Sequence, residues 1–278
     1  MAVLPRISIV IPSFNQGDML QGALDSLSSQ HYPALEVIVV DGGSTDGTVE
    51  LLKSRGDVVS RWVSEPDTGQ TQALNKGYRL ATGEVYGWLN CDERYRPGTL
   101  RLVGETFARE PGLDMVFGHR VVTDKEGLEL GRLRQPALNP RHYALYVSGL
   151  LFSDATFWKA SLHRRTGELD EVLCRRYAMD YDWLGRLSLN LRRWRRLDAY
   201  LSEFTEHEGR VTLDVPELPD IEQKIRRRLH ALSGVGSWRV ILLSPLFFVL
   251  SRYGRFGWRG LLYPPQPGTV FRFAGLRR

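Results

Sequence analysis

The chain has 278 residues, 42% hydrophobic and 25% charged, with a formal net charge of +5. That composition excludes wholesale disorder and bounds the chain to one large domain, or one domain with a small appendage. Two cysteines, Cys91 and Cys174, without CxxC spacing, exclude a disulfide framework and a zinc site and point to a reducing, cytoplasmic compartment.

Taken in chain order, the segment ISIVI (7–11), ending at Pro12, reads as a buried strand. Apolar residues at Leu20, Ala23, Leu24 and Leu27 have helical spacing over 19–29. A second buried strand, 35–40, stops at Asp41-Gly42-Gly43, and a helix starts near Thr48 with Asp46 or Ser44 as its cap. Residues 58–63 form a third strand candidate, 71–81 a helix ended by Gly83, 85–89 a fourth strand, and Pro97 opens a helix reaching about Arg109.

Strands alternating with helices over this half predict an α/β domain. Its central sheet is expected to be mostly parallel, with helices on both faces. Ligands of such sheets sit outside the carboxyl ends of the strands. The residues there are Ser13-Phe14-Asn15, the Asp41 turn, Glu65-Pro66-Asp67 and Asn90-Cys91-Asp92-Glu93.

Beyond residue 113 the pattern loosens. Residues 115–118 and 119–123 predict strands, 139–152 is ambiguous, and 156–159 precedes a helix to about Arg164. A helix covers 181–191 and a short strand 194–197. Two prolines make 213–219 a linker. From residue 220 onward eleven Lys or Arg stand against two acids, so the body before it is mildly acidic. The apolar stretch 238–250 contains Pro245, is too short to span a bilayer, and is flanked by Trp238, Arg239, Arg252, Arg255, Trp258 and Arg259. It reads either as a helix lying in a membrane interface or as an amphipathic helix packed on the core.

The turn Asp41-Gly42-Gly43-Ser44 allows a close backbone approach to a ligand, and Asp41 could accept hydrogen bonds from a base or ribose. The alternative is an acid-rich turn with Asp46 as cap. Asp92, with the neutral amide oxygen of Asn90 two residues earlier, suits Mg²⁺ or Mn²⁺ shared with a diphosphate; a polar strand end is the plain alternative. Asp180 and Asp182 open a helix, as caps or as a general base. His207 could meet a metal or phosphate, or be structural.

Together these segments resemble family 2 glycosyltransferases of the GT-A fold. The matching pieces are ISIVIPSFNQGDML, LEVIVVDGGSTDGT, SEPDTGQTQALNKGYRLATGEVYGWLNCDE, FWKASLHRRTGELDE, YAMDYDWLGRL and FTEHEGRVT, in family order. The resemblance implies that Pro12, Ser13, Asn15, Asp41, Gly43 and Ser44 bind the nucleotide. It implies that Asp67, Gln70, Asn75 and Lys76 line the donor pocket, and that Asn90, Cys91 and Asp92 form the DxD region. Asp92 and His207 become metal ligands and Asp180 the catalytic base. Asn90 replaces the first Asp of DxD, and Met179 the Glu that precedes the base.

The implied reaction is metal-assisted transfer, with inversion, of a hexosyl or deoxyhexosyl group from a UDP-, GDP- or dTDP-linked sugar. Asp180 would deprotonate an acceptor hydroxyl in a single displacement. The implied organisation is a glycosyltransferase domain over 1–212, split at 112/113 into nucleotide-binding and acceptor halves, with a linker and basic helical extension over 213–278. A glycan, lipid-linked or small-molecule acceptor in cell-envelope polysaccharide, glycolipid or glycoside synthesis is expected. So are contact of the tail with the inner membrane face and a homo-oligomer; nucleic acid is not. A sugar nucleotidyltransferase would carry a Gly-rich loop where PSFNQGD stands. A non-catalytic basic binding module would rest on Arg192, Arg193, Arg195 and Arg196.

Overall fold

The computed structural model describes residues 3–136, 139–146, 151–207, 215–235 and 243. The first half runs β1 (Ile7–Ser13), α1 (Gly17–Ser28), β2 (Leu35–Asp41), α2 (Thr48–Ser54), β3 (Arg61–Ser64), α3 (Gln70–Leu80) and β4 (Val85–Trp88). The four strands pair in parallel in the order β3-β2-β1-β4. Successive residues serve opposite faces. Ile7, Ile9 and Ile11 enter the core beneath α1, while Val10 enters the core beneath α3. Burial on both sides explains why β1, β2 and β4 read as largely apolar runs, whereas the edge strand β3 is partly exposed.

The second half adds β5 (Glu93–Tyr95), α4 (Thr99–Arg109), β6 (Met115–Thr123), β7 (Glu129–Leu133) and α5 (Pro140–Tyr146). A 3-10 turn follows at Ser153–Ala155, then β8 (Thr156–Lys159), α6 (Ala160–Thr166), α7 (Met179–Leu189), β9 (Trp194–Thr205) and α8 (Leu218–Ser233). The sheet continues β4-β8-β6-β9-β5. Strand β8 is antiparallel to both β4 and β6, β9 is parallel to β6, and β5 is antiparallel to β9. Parallel pairing therefore holds the first half, and the rest of the sheet is mixed.

Several boundaries move for physical reasons. The third strand starts at Arg61 because Val58 and Val59 turn back onto Arg55 O. Helix α4 starts two residues after Pro97, since Gly98 takes a left-handed φ of 80°. Residues 115–123 form one strand. Strand β9 is twelve residues long, not four. Its charged sequence looks like surface, but β6 and β5 both pair with it and override composition. At the start of β9, Arg195 pairs with Glu110 at 2.8 Å.

The expected linker ends early, because Leu218 and Pro219 already belong to α8. This helix packs on α7 and α5. It buries Ile225 and Leu229, and Arg228 donates to Asp170 at 2.6 Å. His230 Nε2 lies 2.9 Å from Leu145 O. No helix among the described residues is long and apolar enough to cross a membrane. The expectation for 238–250 falls, Leu243 apart, outside the described residues.

Candidate active site

The carboxyl ends of β1 and β2 lie side by side, with Ser13 in register with Asp41. Asp41 is fully buried. One of its oxygens accepts from the Ser44 hydroxyl; the other accepts from Gly43 N at 3.2 Å, Ser44 N at 2.9 Å and Ser64 Oγ at 2.7 Å. All of these bonds lie within the protein, so Asp41 shapes its loop: Oδ2 is filled by three donors and Oδ1 holds the Ser44 hydroxyl. Gly43 has φ 84°, and a Cβ there would crowd Pro66 N at 3.3 Å. Asn15, itself at φ 51°, cross-links the two loops: its N–H donates to Ser44 Oγ at 2.7 Å and its Oδ1 accepts from Thr45 N at 2.9 Å. Between the loops Phe14 stands 59% exposed. The N-cap position of α2 is Gly47 and not Asp46 or Ser44; Asp46, one residue before it, accepts from Thr48 N at 3.1 Å and from Gly17 N at 2.9 Å and so ties the starts of α2 and α1 together.

Asp67 faces the same loop, its Oδ1 accepting from Gly69 N at 2.8 Å. Burial raises its carboxyl above the usual range, against the Gly69 N–H and the Lys76 and Arg176 charges. Lys76 Nζ pairs with Glu65 at 2.7 Å. Asn75 is placed otherwise than expected. Its amide spans to Leu169 and Glu171 instead of lining a pocket, donating to Leu169 O at 3.0 Å and Glu171 Oε1 at 2.8 Å and accepting from Leu169 N at 2.9 Å.

The loop after β4 is built from inside. Asn90 Oδ1 accepts from Gln70 Nε2 at 2.7 Å and from Trp88 Nε1 at 2.8 Å, which fills the amide oxygen expected to face a metal. Cys91 is buried, its thiol donating to Pro12 O at 3.4 Å; burial pushes it up to about 12, so it is inert packing under the loop. Asp92 points the other way. Its Oδ2 lies 3.2 Å from His207 Nε2, and Thr205 N donates to Asp92 O at 3.2 Å. The Asp92 side chain is 15% exposed and that of His207 2%. Among the described residues no three His, Cys, Asp or Glu side chains form a ready-made metal cage.

Asp180 sits in the first turn of α7, after Ala178, which takes a left-handed φ of 55°. Burial pushes its carboxyl above the usual carboxylate range; the Tyr181 and Asp180 backbone N–H groups and the Arg120 charge oppose the shift. Sequence reasoning missed three groups around it. Arg120 on β6 donates to the fully buried Asp154, and its guanidinium stacks on Phe152 and Phe204, 4.2 and 5.0 Å from the ring centroids. Glu93, beside Asp92, is buried and driven well above its usual range by burial and by Asp154, with Arg120 opposing. One cation thus acts on both the Asp92 loop and the base candidate. Arg120 and Asp154 fall in stretches without a motif, Glu93 ends the Asn90–Glu93 segment with no role assigned to it, and only the fold brings the three together.

Solved structures share this architecture. S. aureus TarS 1-349 in complex with UDP-GlcNAc superimposes with a TM-score of 0.68 at 18% identity, over 88% of this chain and 72% of that one. A mannosyltransferase from Pyrobaculum calidifontis, solved with GDP-Man and Mn2+, gives 0.56 at 17% identity, over 89% and 81%. The fold is the GT-A fold. The chain belongs to glycosyl transferase family 2, which matches residues 8–166. Among its relatives, an uncharacterized glycosyltransferase of Rickettsia typhi is 36% identical over 96 residues, 34% of this chain and 30% of that protein. The uncharacterized glycosyltransferase YibD of Escherichia coli is 32% identical over 112 residues, 40% of this chain and 32% of that protein. The matched region spans about a third of these relatives' length.

Proposed function

We propose that this chain transfers a hexosyl or deoxyhexosyl group from a nucleoside-diphosphate sugar to an acceptor hydroxyl, with inversion, in one displacement. The observation that carries the reading is the meeting of Asp92 and His207, 115 positions apart, at the mouth of the parallel strands. A carboxylate oxygen and an imidazole nitrogen 3.2 Å apart fit Mn²⁺ or Mg²⁺, with diphosphate oxygens completing the shell. Such an ion, when bound, supplies Lewis-acid neutralisation of the leaving diphosphate. The neighbours solved with UDP-GlcNAc and with GDP-Man and Mn2+ support a nucleotide-sugar donor of this kind.

The chain's own residues do the rest. The cross-linked Ser13–Asn15 and Asp41–Ser44 loops present a fixed edge to the nucleoside, with Phe14 as an exposed aromatic face. Gln70 and Trp88 hold Asn90 and so fix the turn that aims Asp92. Asp180, with its carboxyl raised by burial, takes the proton of the acceptor hydroxyl as that oxygen attacks the anomeric carbon. The basic C-terminal segment favours a lipid-linked or cell-envelope glycan as acceptor, met at the inner membrane face.

Release of nucleoside diphosphate from UDP-GlcNAc and GDP-mannose, with Mg²⁺ and Mn²⁺, tests this reading. Asp180→Asn lowers turnover by roughly 10²-fold or more while leaving donor binding intact. Full transfer activity in that variant overturns the assignment of the base.

A further inference from the structure

Strands β2 and β3 run side by side with Asp41 in register with Ser64, so the chain leaving β3 lies beside the chain leaving β2. Glu65 N donates to Asp41 O at 3.1 Å, and two residues later Asp67 reaches the loop after β2. Gly42 is the meeting point. Its N–H donates to Ser13 O at 2.8 Å, which ties it to β1. A Cβ on Gly42 would lie 3.0 Å from Asp67 Oδ2 and 3.2 Å from Phe14 Cδ2. The carboxylate oxygen and the aromatic ring therefore border one point, and the missing side chain leaves them room to do so.

The two oxygens of Asp67 differ. Oδ1 accepts from Gly69 N at 2.8 Å, which fixes the carboxylate. Among the described residues no donor meets Oδ2, and solvent reaches it. The neighbouring acid, Glu65, is taken up by Lys76 Nζ at 2.7 Å. Asp41, the acid that the resemblance assigns to the nucleotide, is fully buried. An exposed ring with one oriented acceptor beside its edge is complementary to a flat heterocycle that carries an N–H on its rim.

We propose that Asp67 reads the base of the nucleotide: the base stacks on Phe14, and its ring N–H donates to Asp67 Oδ2. The ligand class is a nucleoside diphosphate whose base carries a ring N–H beside a carbonyl, as uracil and guanine do. Cytosine and adenine carry a bare ring nitrogen there and would set a lone pair against the carboxylate. The inference deepens the proposed function and rests on this being a nucleotide site. It makes a residue of the loop after β3, and the glycine opposite it, the selector of the donor's base.

Calorimetric binding of UDP, GDP, CDP and ADP to the full chain with Mg²⁺ tests it. The wild type binds UDP or GDP roughly tenfold or more tighter than CDP and ADP, the worth of one hydrogen bond to a charged group. Asp67→Asn keeps an oxygen for the Gly69 N–H and puts an amino group where Oδ2 stood. It loses UDP and GDP by a similar factor and binds CDP and ADP more tightly than the wild type does. An unchanged order in that variant, or an equal loss for all four, overturns the assignment of Asp67, since a merely structural role weakens every base alike. Phe14→Ala weakens all four together by roughly tenfold, and unchanged affinities overturn the stacking. A wild type that binds all four equally sinks the base reading alone; one that binds none of them sinks the nucleotide reading of the site instead.

Discussion

Replacing Arg120 by Met removes the cation from a buried pair and leaves the apolar shape nearly filled. Asp154 is fully buried, its Oδ1 accepts from Arg120, and its Oδ2 has no hydrogen-bond partner. The Arg120 side chain is itself only 14% exposed, so water does little to replace the lost partner. Breaking such a pair from one side costs about 3–5 kcal/mol. The stacking on Phe152 and Phe204 adds about 0.5–1 kcal/mol per ring, much of which the methionine sulfur recovers. A loss of about 4 kcal/mol is a large share of the 5–15 kcal/mol typical of a folded domain. Adding Asp154→Leu restores most of it, because exchanging a whole buried pair for apolar groups is often close to neutral. Urea unfolding of the four proteins of this double-mutant cycle, followed by circular dichroism, gives the coupling energy. The reasoning fails if Arg120→Met loses less than about 1 kcal/mol or if the two substitutions are additive.

His163 lies against Tyr78, Tyr86 and Trp183, and burial lowers its pKa from 6.5 to about 4. The unfolded chain binds a proton that the folded one refuses, so stability is full above pH 6.5 and falls toward pH 4, by roughly 3 kcal/mol. His163→Phe flattens that part of the pH profile of urea midpoints; a variant with the wild-type slope shows that another group is responsible. Gly185→Val drives methyl groups into the 2.6 Å gap beneath Leu229 and lifts α8 off α7. Hydrogen exchange then speeds up along Leu218–Ser233 while β1, β2 and β4 stay protected, and unchanged protection of α8 would show that the helix does not depend on this contact.

The first half of the fold was legible because β1, β2 and β4 are buried on both faces and its helices on one, so the hydrophobic period carries the structure. The second half was not. The residues of β9 gain their place from two partner strands distant in sequence, and residues 194–205 carry enough arginine and acid to look like surface. The same holds for α8. Its apolar residues are few, and what docks them is a missing side chain on another helix, Gly185. No local pattern announces that a glycine is a socket for a leucine 44 positions later.

The candidate site divides along a related line. Motif residues are retained in a sequence both for what they present and for what they hold up, and the one-dimensional pattern does not separate the two. Asp41 and Asn75 spend their polar atoms on the chain itself, and Asn90 accepts from Gln70 and Trp88. Asp92 and His207 meet each other across the cleft. This bears on the replacement of acid by amide at position 90. Gln70 and Trp88 would donate equally well to a carboxylate oxygen, so the position serves the shape of the turn in either form. The amide oxygen at position 90 faces Trp88 and Gln70, whereas the proposed metal pair is Asp92 and His207.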